Sequence, residues 1–466
     1  MKKLLFLFFA CLISLSLTAC SNKQSEIQAI EPEIEIAVNE KTPLPPVNHI
    51  QTTEKKMALT FNGLADQVTM KRLLDQLKML DIHATFFLQG MKVAEEPELV
   101  QQIIEQGHTI QNNTLNHVLI QDYDYDQAYV ELFLANKVFK EELELKPAYV
   151  RSRSGDTSTA FEEAAAQLDM RVVTNTINPN DGEMQSAAEI ADYIDRFTNR
   201  GAVIQLNTYL NPEVIQSLEL IKQNAAAKGY TLNTLEEVMK GNYVNEEVIP
   251  VTNNLQVNLD YKEVQPNIIR KFATDKKEVA LTFDDWASDE TLSQILDILD
   301  QYQISSTFFV IGRGVEINPQ LARLIEERGH EVASHSYHHQ VITEMGTKEL
   351  QEDVVLNDQI LTEALQEKPL NYFRPAQGLI DDRTAKAITA TGVDYIILFD
   401  IASLDWDLNR PEDEIYHRIV DNVQPGSIIG LHILDESHTI QVLPRVIENL
   451  QSRGYEFKKI SEWVSQ

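Results

Sequence analysis

Apolar residues follow two patterns along the chain: short continuous runs and longer stretches at helical spacing. The short runs at residues 58–61 and 280–283 are typical of strands buried on both faces. In each half, a helical stretch, a second apolar run and a second helix that ends at a glycine follow in turn. The helical residues are Met70, Leu73, Leu74 and Leu77 or Leu292, Ile295, Leu296 and Leu299, the second runs are 85–88 or 307–310, and the glycines are Gly107 and Gly329. This alternation predicts parallel strands covered by helices, an α/β fold.

The two halves are copies of one another. Residues 55–117 align without a gap with residues 277–339 at a constant offset of 222, and 23 of the 63 positions are identical. Ordinary composition would give about four identities by chance. With about 190 residues per copy, we expect a small or incomplete (β/α) barrel in each half, with its site at the C-terminal ends of the strands.

The N-terminus has the composition of an export signal. Residues 1–20 contain Lys2 and Lys3, then a fourteen-residue apolar stretch, then small residues before Cys20. This order resembles a bacterial lipoprotein signal, which implies cleavage before Cys20 and a lipid on its thiol. The alternatives are an ordinary secretory signal and an uncleaved anchor. We expect an extracytoplasmic protein that is attached to the membrane through this lipid.

Composition separates the remaining segments and excludes some partners. The stretch before the first copy is polar and acidic, with several prolines, and predicts an extended linker. The connector between the copies fits a short linker or an added strand. The predicted segments are 1–20 (signal), 21–50 (linker), 51–240 (first domain), 241–273 (connector) and 274–466 (second domain).

The chain is strongly acidic. Its formal net charge is −31, and the loss of Lys2 and Lys3 with the signal would change −31 to −33. Such a surface repels phosphate backbones, so we expect no nucleic-acid partner, and a substrate must bind in a locally neutral groove. Both cysteines, Cys11 and Cys20, belong to the signal or the anchor, so a disulfide framework is excluded.

The repeat separates scaffold residues from residues that are candidates for chemistry. Asp284 and Asp285, at the end of a predicted strand, correspond to Asn62 and Gly63. The other compared positions are His335 (Asn113), His432 (Asn207), His339 (retained as His117) and His330 (retained as His108). We expect the first domain to be inactive, and we expect His330 to form a hydrogen bond that the fold needs.

The histidines and aspartates of the second half predict a metal site. His335 and His339 are four residues apart, a spacing that places two imidazoles on one side of a helical turn. With one carboxylate, naturally Asp285, they form a set of three ligands that suits catalytic zinc. His338 is expected to be exposed or to support a ligand. Adjacent side chains of a strand diverge, so Asp284 is free to act as a base; the alternative is a solvated pair of aspartates.

The second half resembles the polysaccharide deacetylases with NodB homology, carbohydrate esterase family 4. The motifs that carry the resemblance are Thr282–Asp285, His335–His339, Phe373–Gly378, Ser403–Trp406 and Leu431–His432. The resemblance implies two tandem distorted (β/α)7 barrels, the first similar in framework only, and N-deacetylation of an N-acetylhexosamine polymer. Trp286 stands where the family has glycine, and Ala376-Gln377 where it has proline and an aromatic residue. These departures put substrate choice and rate in doubt.

The resemblance also implies a role for each matched residue. It implies Zn²⁺, with Co²⁺ or another divalent ion as alternatives. The implied roles are Asp285, His335 and His339 as metal ligands, Asp284 as base, His432 as acid, Arg374 and Asp405 as their respective partners, the Gln377 N–H as oxyanion donor, and Trp406, Leu431 and Trp286 as groove residues. For Arg374 and Asp405, the alternative is a structural ion pair at the surface.

The resulting hypothesis is a lipid-anchored, zinc-dependent deacetylase with an inactive N-terminal twin. Its expected substrate is the N-acetylglucosamine of peptidoglycan, and an exopolysaccharide or chitin-type oligomer is the alternative. A different class, a non-catalytic wall lipoprotein that only binds glycan, would keep its function after metal removal.

Overall fold

The computed structural model describes residues 34–240 and 255–464. The predicted signal with Cys20, residues 21–33 of the predicted linker and residues 241–254 of the connector lie outside the described residues. Within the described ranges, no helix is long and apolar enough to cross a membrane.

The first domain alternates strands and helices, as the apolar pattern predicts. Its elements are β1 (Lys56–Asn62), α1 (Gln67–Met79), β2 (Thr85–Leu88), α2 (Gly90–Glu95), α3 (Pro97–Glu105), β3 (Thr109–Asn112), α4 (Tyr125–Leu143), β4 (Tyr149–Val150), α5 (Thr159–Gln167), β5 (Arg171–Val172), α6 (Ala187–Arg196), β6 (Val203–Asn207), α7 (Glu213–Ala227), β7 (Thr231–Asn233) and α8 (Leu235–Lys240). The parallel sheet has the order β5-β4-β3-β2-β1-β6, and β7 pairs with the start of β1.

The second domain repeats this order and adds strands at its edges. Its elements are β8 (Ile268–Ile269), β9 (Glu278–Asp285), α9 (Asp289–Gln301), β10 (Thr307–Val310), α10 (Gly312–Ile317), α11 (Pro319–Glu327), β11 (Glu331–Ser334), α12 (Thr347–Leu365), β12 (Leu370–Phe373), a 3₁₀ turn (Ala376–Gly378), α13 (Asp382–Ala390), β13 (Tyr395–Ile397), β14 (Ile401–Ala402), α14 (Glu412–Val420), β15 (Ile428–Ile433), α15 (Thr439–Ser452), β16 (Glu456–Phe457) and α16 (Ser461–Val464). The strand order is β14-β15-β9-β10-β11-β12-β13-β8, with β16 on β9. Two tandem distorted barrels of the predicted class are confirmed.

The second helix predicted in each copy consists of two helices. Pro97 starts α3 and Pro319 starts α11, and the residue before each, Glu96 or Asn318, has left the helical conformation. Proline lacks an amide hydrogen and restricts the residue before it, so it ends one helix and begins the next. The sequence pattern alone joined the two pieces because their apolar faces continue across the break.

The central strand β9 has one face toward the helices and one toward the barrel interior. Val279, Leu281 and Phe283 pack in the main core with the apolar face of α9. Ala280 packs in a second cluster on the opposite face, among Phe309, Ala333, Tyr372, Ile397, Ile428 and Ile460. Because strand side chains alternate, Thr282 and Asp284 share the interior face with Ala280. This parity brings Asp284 into the barrel.

The first domain begins earlier than predicted, and the connector contains one of the two alternatives that the sequence left open. The linker expected to end at residue 50 is already part of the first domain at Val47, which is buried and bonds with its amide to the Val172 carbonyl. Ile50 is also buried and donates to the Gly201 carbonyl. In the connector, the added strand is β8, which pairs with β13. Residues 255–261, in which Leu255, Val257, Leu259 and Tyr261 alternate with polar residues, do not form a strand. Leu255 and Tyr261 pack against a core cluster from an irregular segment.

The two barrels pack together through one buried and one partly buried arginine. Arg323 on α11 is fully buried and donates from Nη1 to the carbonyls of Ile50, at 3.3 Å, and Arg200, at 3.2 Å. The Arg200 side chain in turn bonds to Glu327 at 2.9 Å. Buried, charge-assisted bonds of this kind are geometrically specific, so they fix one domain against the other.

Candidate active site and metal centre

The paired aspartates end β9 beside β15. In the parallel register, Asp284 lies opposite His432, so the two side chains extend from the same face of the sheet. Asp285 has a φ of 82°, in the left-handed region, which turns the chain out of the strand at this residue. The turn gives the two neighbouring carboxylates different surroundings. Asp284 faces Arg374, and Asp285 faces two histidines.

Asp285, His335 and His339 converge, as the sequence predicts. Asp285 Oδ1 lies 3.6 Å from His335 Nε2 and 3.2 Å from His339 Nε2, and the three ligand atoms all lie within 4.8 Å of one another. Tetrahedral zinc, with bonds of about 2.0–2.2 Å, separates its ligand atoms by about 3.3 Å. Asp285 Oδ1 is buried and has no hydrogen-bond partner. The group therefore fits a divalent cation.

The two histidines lie on a loop rather than on the helical turn inferred from their spacing. After β11 ends at Ser334, Ser336 and His339 have φ values of 67° and 57°, which bend the chain back. The carboxylate of Asp353, on α12, holds the bend by accepting the amides of Tyr337, at 2.8 Å, and His338, at 3.1 Å. The prediction of a helical turn was wrong because long-range bonds from α12, not local spacing, set this loop.

The ligand histidines also differ in their surroundings. His335 is buried, and its Nδ1 is 2.8 Å from the Arg374 carbonyl, a bond that directs Nε2 toward Asp285. Burial, with the nearby charge of His335, lowers the pKa of His339, so its ring is held in the neutral form that binds metals. His338 instead points its exposed ring away, bonded to Asp353 at 2.6 Å.

Arg374 forms a buried ion pair with Asp284. Its Nη1 is 2.6 Å from Asp284 Oδ1 and 2.8 Å from Thr282 Oγ1, and its guanidinium lies 3.9 Å from the Phe309 ring centroid. Burial lowers the pKa of Arg374, and the adjacent carboxylate opposes that shift. The alternative of a surface ion pair is therefore excluded, since both side chains are enclosed.

His432 and Asp405 form a second buried pair. His432 Nδ1 is 2.6 Å from Asp405 Oδ1, and Asp405 also accepts the His432 amide at 2.9 Å and the hydroxyls of Ser403 and Thr439. Burial alone would lower the pKa of His432, but the bond to Asp405 and the charges of Asp405, Asp284 and Asp285 raise it to about 9. His432 is therefore an imidazolium at neutral pH that can donate a proton.

The predicted groove residues occupy different environments. Trp406 follows Asp405 and is 51% exposed, and Gln377 is exposed with a φ of 58°. Trp286 is only half-buried and packs so closely on Gly314 that a methyl group there would lie 2.3 Å from its ring. Trp286 therefore packs against α10. Trp406 and Gln377 are exposed and can contact a ligand.

Leu431 does not face the site. It packs in the core between the sheet and its helices, opposite to His432, because adjacent strand residues point to opposite faces. The prediction that Leu431 is a groove residue is wrong for this reason. On the site face the preceding residue is Gly430, and the ring of Phe399 packs against it. Phe399 was not predicted from the sequence, although the two-residue period of a strand indicates that position 430, not 431, faces the site.

The first barrel keeps the framework of this site and has lost its reactive groups. Arg151 is buried like Arg374 and donates to Thr60 Oγ1 at 2.7 Å, but it faces the amide of Asn62, at 3.3 Å, in place of a carboxylate. Asp181 accepts hydrogen bonds from the side-chain amide of Asn207, at 2.6 Å, and from its backbone amide, at 2.9 Å. Asp405 makes the corresponding two bonds to His432. Neither Arg151 nor Asp181 was singled out from the sequence, although the shared Tyr-x-Arg spacing after the repeat marks Arg151.

The retained histidines of the Gly-His pairs have the structural role that was expected. His330 Nδ1 accepts the Ser306 amide at 3.1 Å, and His108 Nδ1 accepts the Ala84 amide at 3.2 Å. Burial, together with Arg328 and Lys459, lowers the pKa of His330 to about 3, so it stays neutral and keeps this acceptor. The prediction is confirmed for both copies.

Comparison with known proteins places this fold and site in one class. The family described as polysaccharide deacetylase matches residues 49–173 and again residues 271–396, together more than half of the chain. The chain belongs to the polysaccharide deacetylase family, in two tandem copies.

The chain is similar to several named proteins. It is 31% identical over 206 residues to a peptidoglycan-N-acetylglucosamine deacetylase of Bacillus cereus, covering 43% of this chain and 95% of that protein. It is 27% identical over 192 residues to the peptidoglycan-N-acetylmuramic acid deacetylase PdaA of Bacillus subtilis, covering 41% and 72%. Among solved structures, the CE4 family pseudoenzyme BA3943 of Bacillus anthracis matches with 27% identity, 43% and 70% coverage and a TM-score of 0.40.

Proposed function

We propose that the chain is a divalent-metal-dependent hydrolase that removes acetyl groups from N-acetylglucosamine residues of peptidoglycan. The observation that carries the proposal is the convergence of Asp285, His335 and His339 beside the Asp284–Arg374 pair. Family membership supports deacetylation of a polysaccharide. The names of the two relatives described above support peptidoglycan as the polymer, and the first supports N-acetylglucosamine as the sugar.

The three converging side chains are assigned as the metal ligands. Asp285, His335 and His339 would hold Zn²⁺, or Co²⁺ or another divalent ion, which when bound polarises a carbonyl group and lowers the pKa of a water molecule. The protein supplies one carboxylate and two imidazoles, and the Arg374 carbonyl fixes the ring of His335.

Asp284 acts as the general base. The guanidinium of Arg374, 2.6 Å away, forms an ion pair with the Asp284 carboxylate and orients it. The water oxygen attacks the acetamide carbonyl carbon while Asp284 takes one of its protons. The backbone N–H of Gln377 donates to the oxyanion that forms.

His432 acts as the general acid. Paired with Asp405, it carries the proton that the sugar nitrogen needs in order to leave as an amine when the C–N bond breaks. Acetate and a free amino sugar are the products. Trp406, exposed beside Asp405, is assigned to contact the face of the sugar ring, since aromatic rings combine apolar area with little loss of side-chain freedom.

The place of action is also part of the proposal. A lipid on Cys20 would hold the protein at the outer face of the membrane, where wall glycan is within reach. The acidic net charge of −31 opposes long-range attraction to anionic wall polymers, so recognition depends on the groove residues.

Acetate release from purified peptidoglycan tests the proposal. We expect release by the metal-loaded chain, loss of release after chelation, and loss of both bound metal and release in His335→Ala. His417→Ala, which changes a solvent-exposed histidine on α14, is the matched control and should retain metal and release. Release from poly-N-acetylglucosamine or chitin oligomers but not from peptidoglycan would reassign the substrate. Full release by the chelated chain would contradict the metal assignment.

A further inference from the structure

One aromatic side chain in the second barrel contacts three parts of the site and has no role in the chemistry described above. Phe399 follows β13, and its ring packs against the backbone of Gly430, where an added methyl group would lie 2.9 Å from Cδ1. Its Cζ would lie 3.5 Å from a methyl group on Gly378, the residue after Gln377. The Arg374 guanidinium carbon is 5.5 Å from the ring centroid. The ring therefore lies between the general acid's strand and the proposed oxyanion donor.

Gly430 determines where this ring can lie. It occupies the site face of β15 two residues before His432, because side chains two apart on a strand share a face. A side chain larger than hydrogen at this position would overlap the ring. The absence of a side chain at 430 lets Phe399 reach the space directly beside the acid.

The inactive barrel has a polar pair in place of this apolar contact. Arg151 donates to the carbonyls of Val173 and Thr174, as Arg374 does to those of Ile397 and Leu398, and the next residue is Asn175 in one barrel and Phe399 in the other. Gln205 occupies the position of Gly430 in β6, and Asn175 donates to its side chain at 3.3 Å. The apolar wall therefore occurs in the barrel that keeps the reactive groups.

We propose that Phe399 is the wall of the acyl pocket and limits the length of the acyl group that the site accepts. The inference rests on the proposed function. The acyl carbon must lie near the Gln377 N–H and within reach of Asp284, and the methyl group then needs an apolar neighbour that does not compete for the polar groups. The half-buried ring of Phe399 supplies this surface. Its size leaves room for acetyl and excludes longer chains.

Acyl-chain selectivity in the full-length, metal-loaded protein tests the inference. The substrates are N-acetyl, N-propionyl and N-butyryl forms of one glucosamine oligomer, and the readout is kcat/KM for amine release from each. We expect Phe399→Ala to lower the ratio of acetyl to butyryl activity by about tenfold or more, since one or two methylene groups in an apolar pocket change binding by factors of about 10–200. Phe399→Leu should lie between the wild type and Phe399→Ala.

The ratio separates a pocket role from a structural one. Loss of folding or of site geometry lowers the activity on all three substrates together and leaves their ratio unchanged. Phe457→Ala, which removes a partly buried aromatic ring paired with the opposite end of β9, is the matched control and should leave the ratio unchanged. An unchanged ratio in both Phe399→Leu and Phe399→Ala would overturn the inference. Failure of the proposed function is distinguishable, because the wild type would then release no amine from any substrate.

Discussion

The two barrels of this chain show how little of a shared framework is specific to catalysis. Each has a buried arginine stacked on a phenylalanine, Arg151 on Phe87 and Arg374 on Phe309. Each barrel also holds the loop after its third strand with a carboxylate from the following long helix: Glu131 binds the amides of residues 115 and 116, as Asp353 binds those of 337 and 338. These contacts persist without a metal ligand set, so they belong to the fold.

The difference lies in a few side chains and in what fills their place. A side chain at Gly63, which corresponds to Asp285, is blocked by Tyr209, whose Cε1 would lie 2.4 Å from an added Cβ. Asn113 donates to the Arg151 carbonyl at 2.8 Å, as His335 is hydrogen-bonded to the Arg374 carbonyl. In the first barrel, the ring of Tyr209 thus occupies the space that a ligand side chain at position 63 would need. The hydrogen bonds that stabilise the strand ends are retained.

The largest effect on activity is expected when residues of the first barrel replace their counterparts in the second. Asp284→Asn and His432→Asn remove the base and the acid but leave the three metal ligands in place. We expect acetate release to fall by about 10²–10⁴-fold in each, the usual contribution of a positioned acid or base, with bound metal retained. Acetate release and metal content, measured on the same preparation, check this. Asp382→Asn, on a side chain that is 81% exposed, is the control. Near-normal release by either site variant would remove that residue from its assigned role.

The buried arginines Arg374 and Arg151 are expected to contribute different amounts to the free energy of unfolding. Arg374→Met leaves the Asp284 carboxylate buried without its cation, which costs about 3–5 kcal/mol. Arg151→Met leaves only neutral groups without a donor, because among the described residues no carboxylate lies within salt-bridge distance of Arg151, and we expect a loss of about 1–3 kcal/mol. Urea unfolding followed by circular dichroism measures both.

The exposed Arg270→Met serves as the control for these two variants and should unfold like the wild type. Equal losses in Arg374→Met and Arg151→Met would show that the Arg374–Asp284 ion pair adds no stability beyond that of the neutral contacts of Arg151.

The sequence predicted the parts of the fold and site that depend on local pattern. The apolar runs of β1 and β9 and the faces of α1 and α9 were correct, because a continuous run or a repeat of 3.6 residues is enough to identify a buried strand or an amphipathic helix. Duplication inside one chain marked Asp285 and His335 as residues that the scaffold does not need, and the four-residue spacing to His335 added His339, which the first copy retains as His117.

Other features depend on contacts between distant segments. The loop that carries His335 and His339 is bent by Asp353, which lies on the next helix, so the four-residue spacing alone gave the wrong local structure. The Phe399 contact was missed because the residue it requires is a glycine, which leaves no chemical signal. The error at Leu431, by contrast, was avoidable, since its neighbour His432 already used the site face of β15.

The acid–base pair distinguishes the two barrels by its pH dependence, since only the second barrel has a histidine in this pair. With its pKa raised to about 9, His432 contributes stability that is fully present below pH 6.5 and is lost as the pH rises through 9. We expect the free energy of unfolding of the chelated chain, measured by urea titration, to fall over this window by an amount on the order of 3 kcal/mol at most. The Asp181–Asn207 pair has the same geometry but a neutral amide, and it adds no such dependence. His432→Asn should therefore flatten the profile between pH 6.5 and 9, and a decline of the same size in that variant would assign the titration to another group.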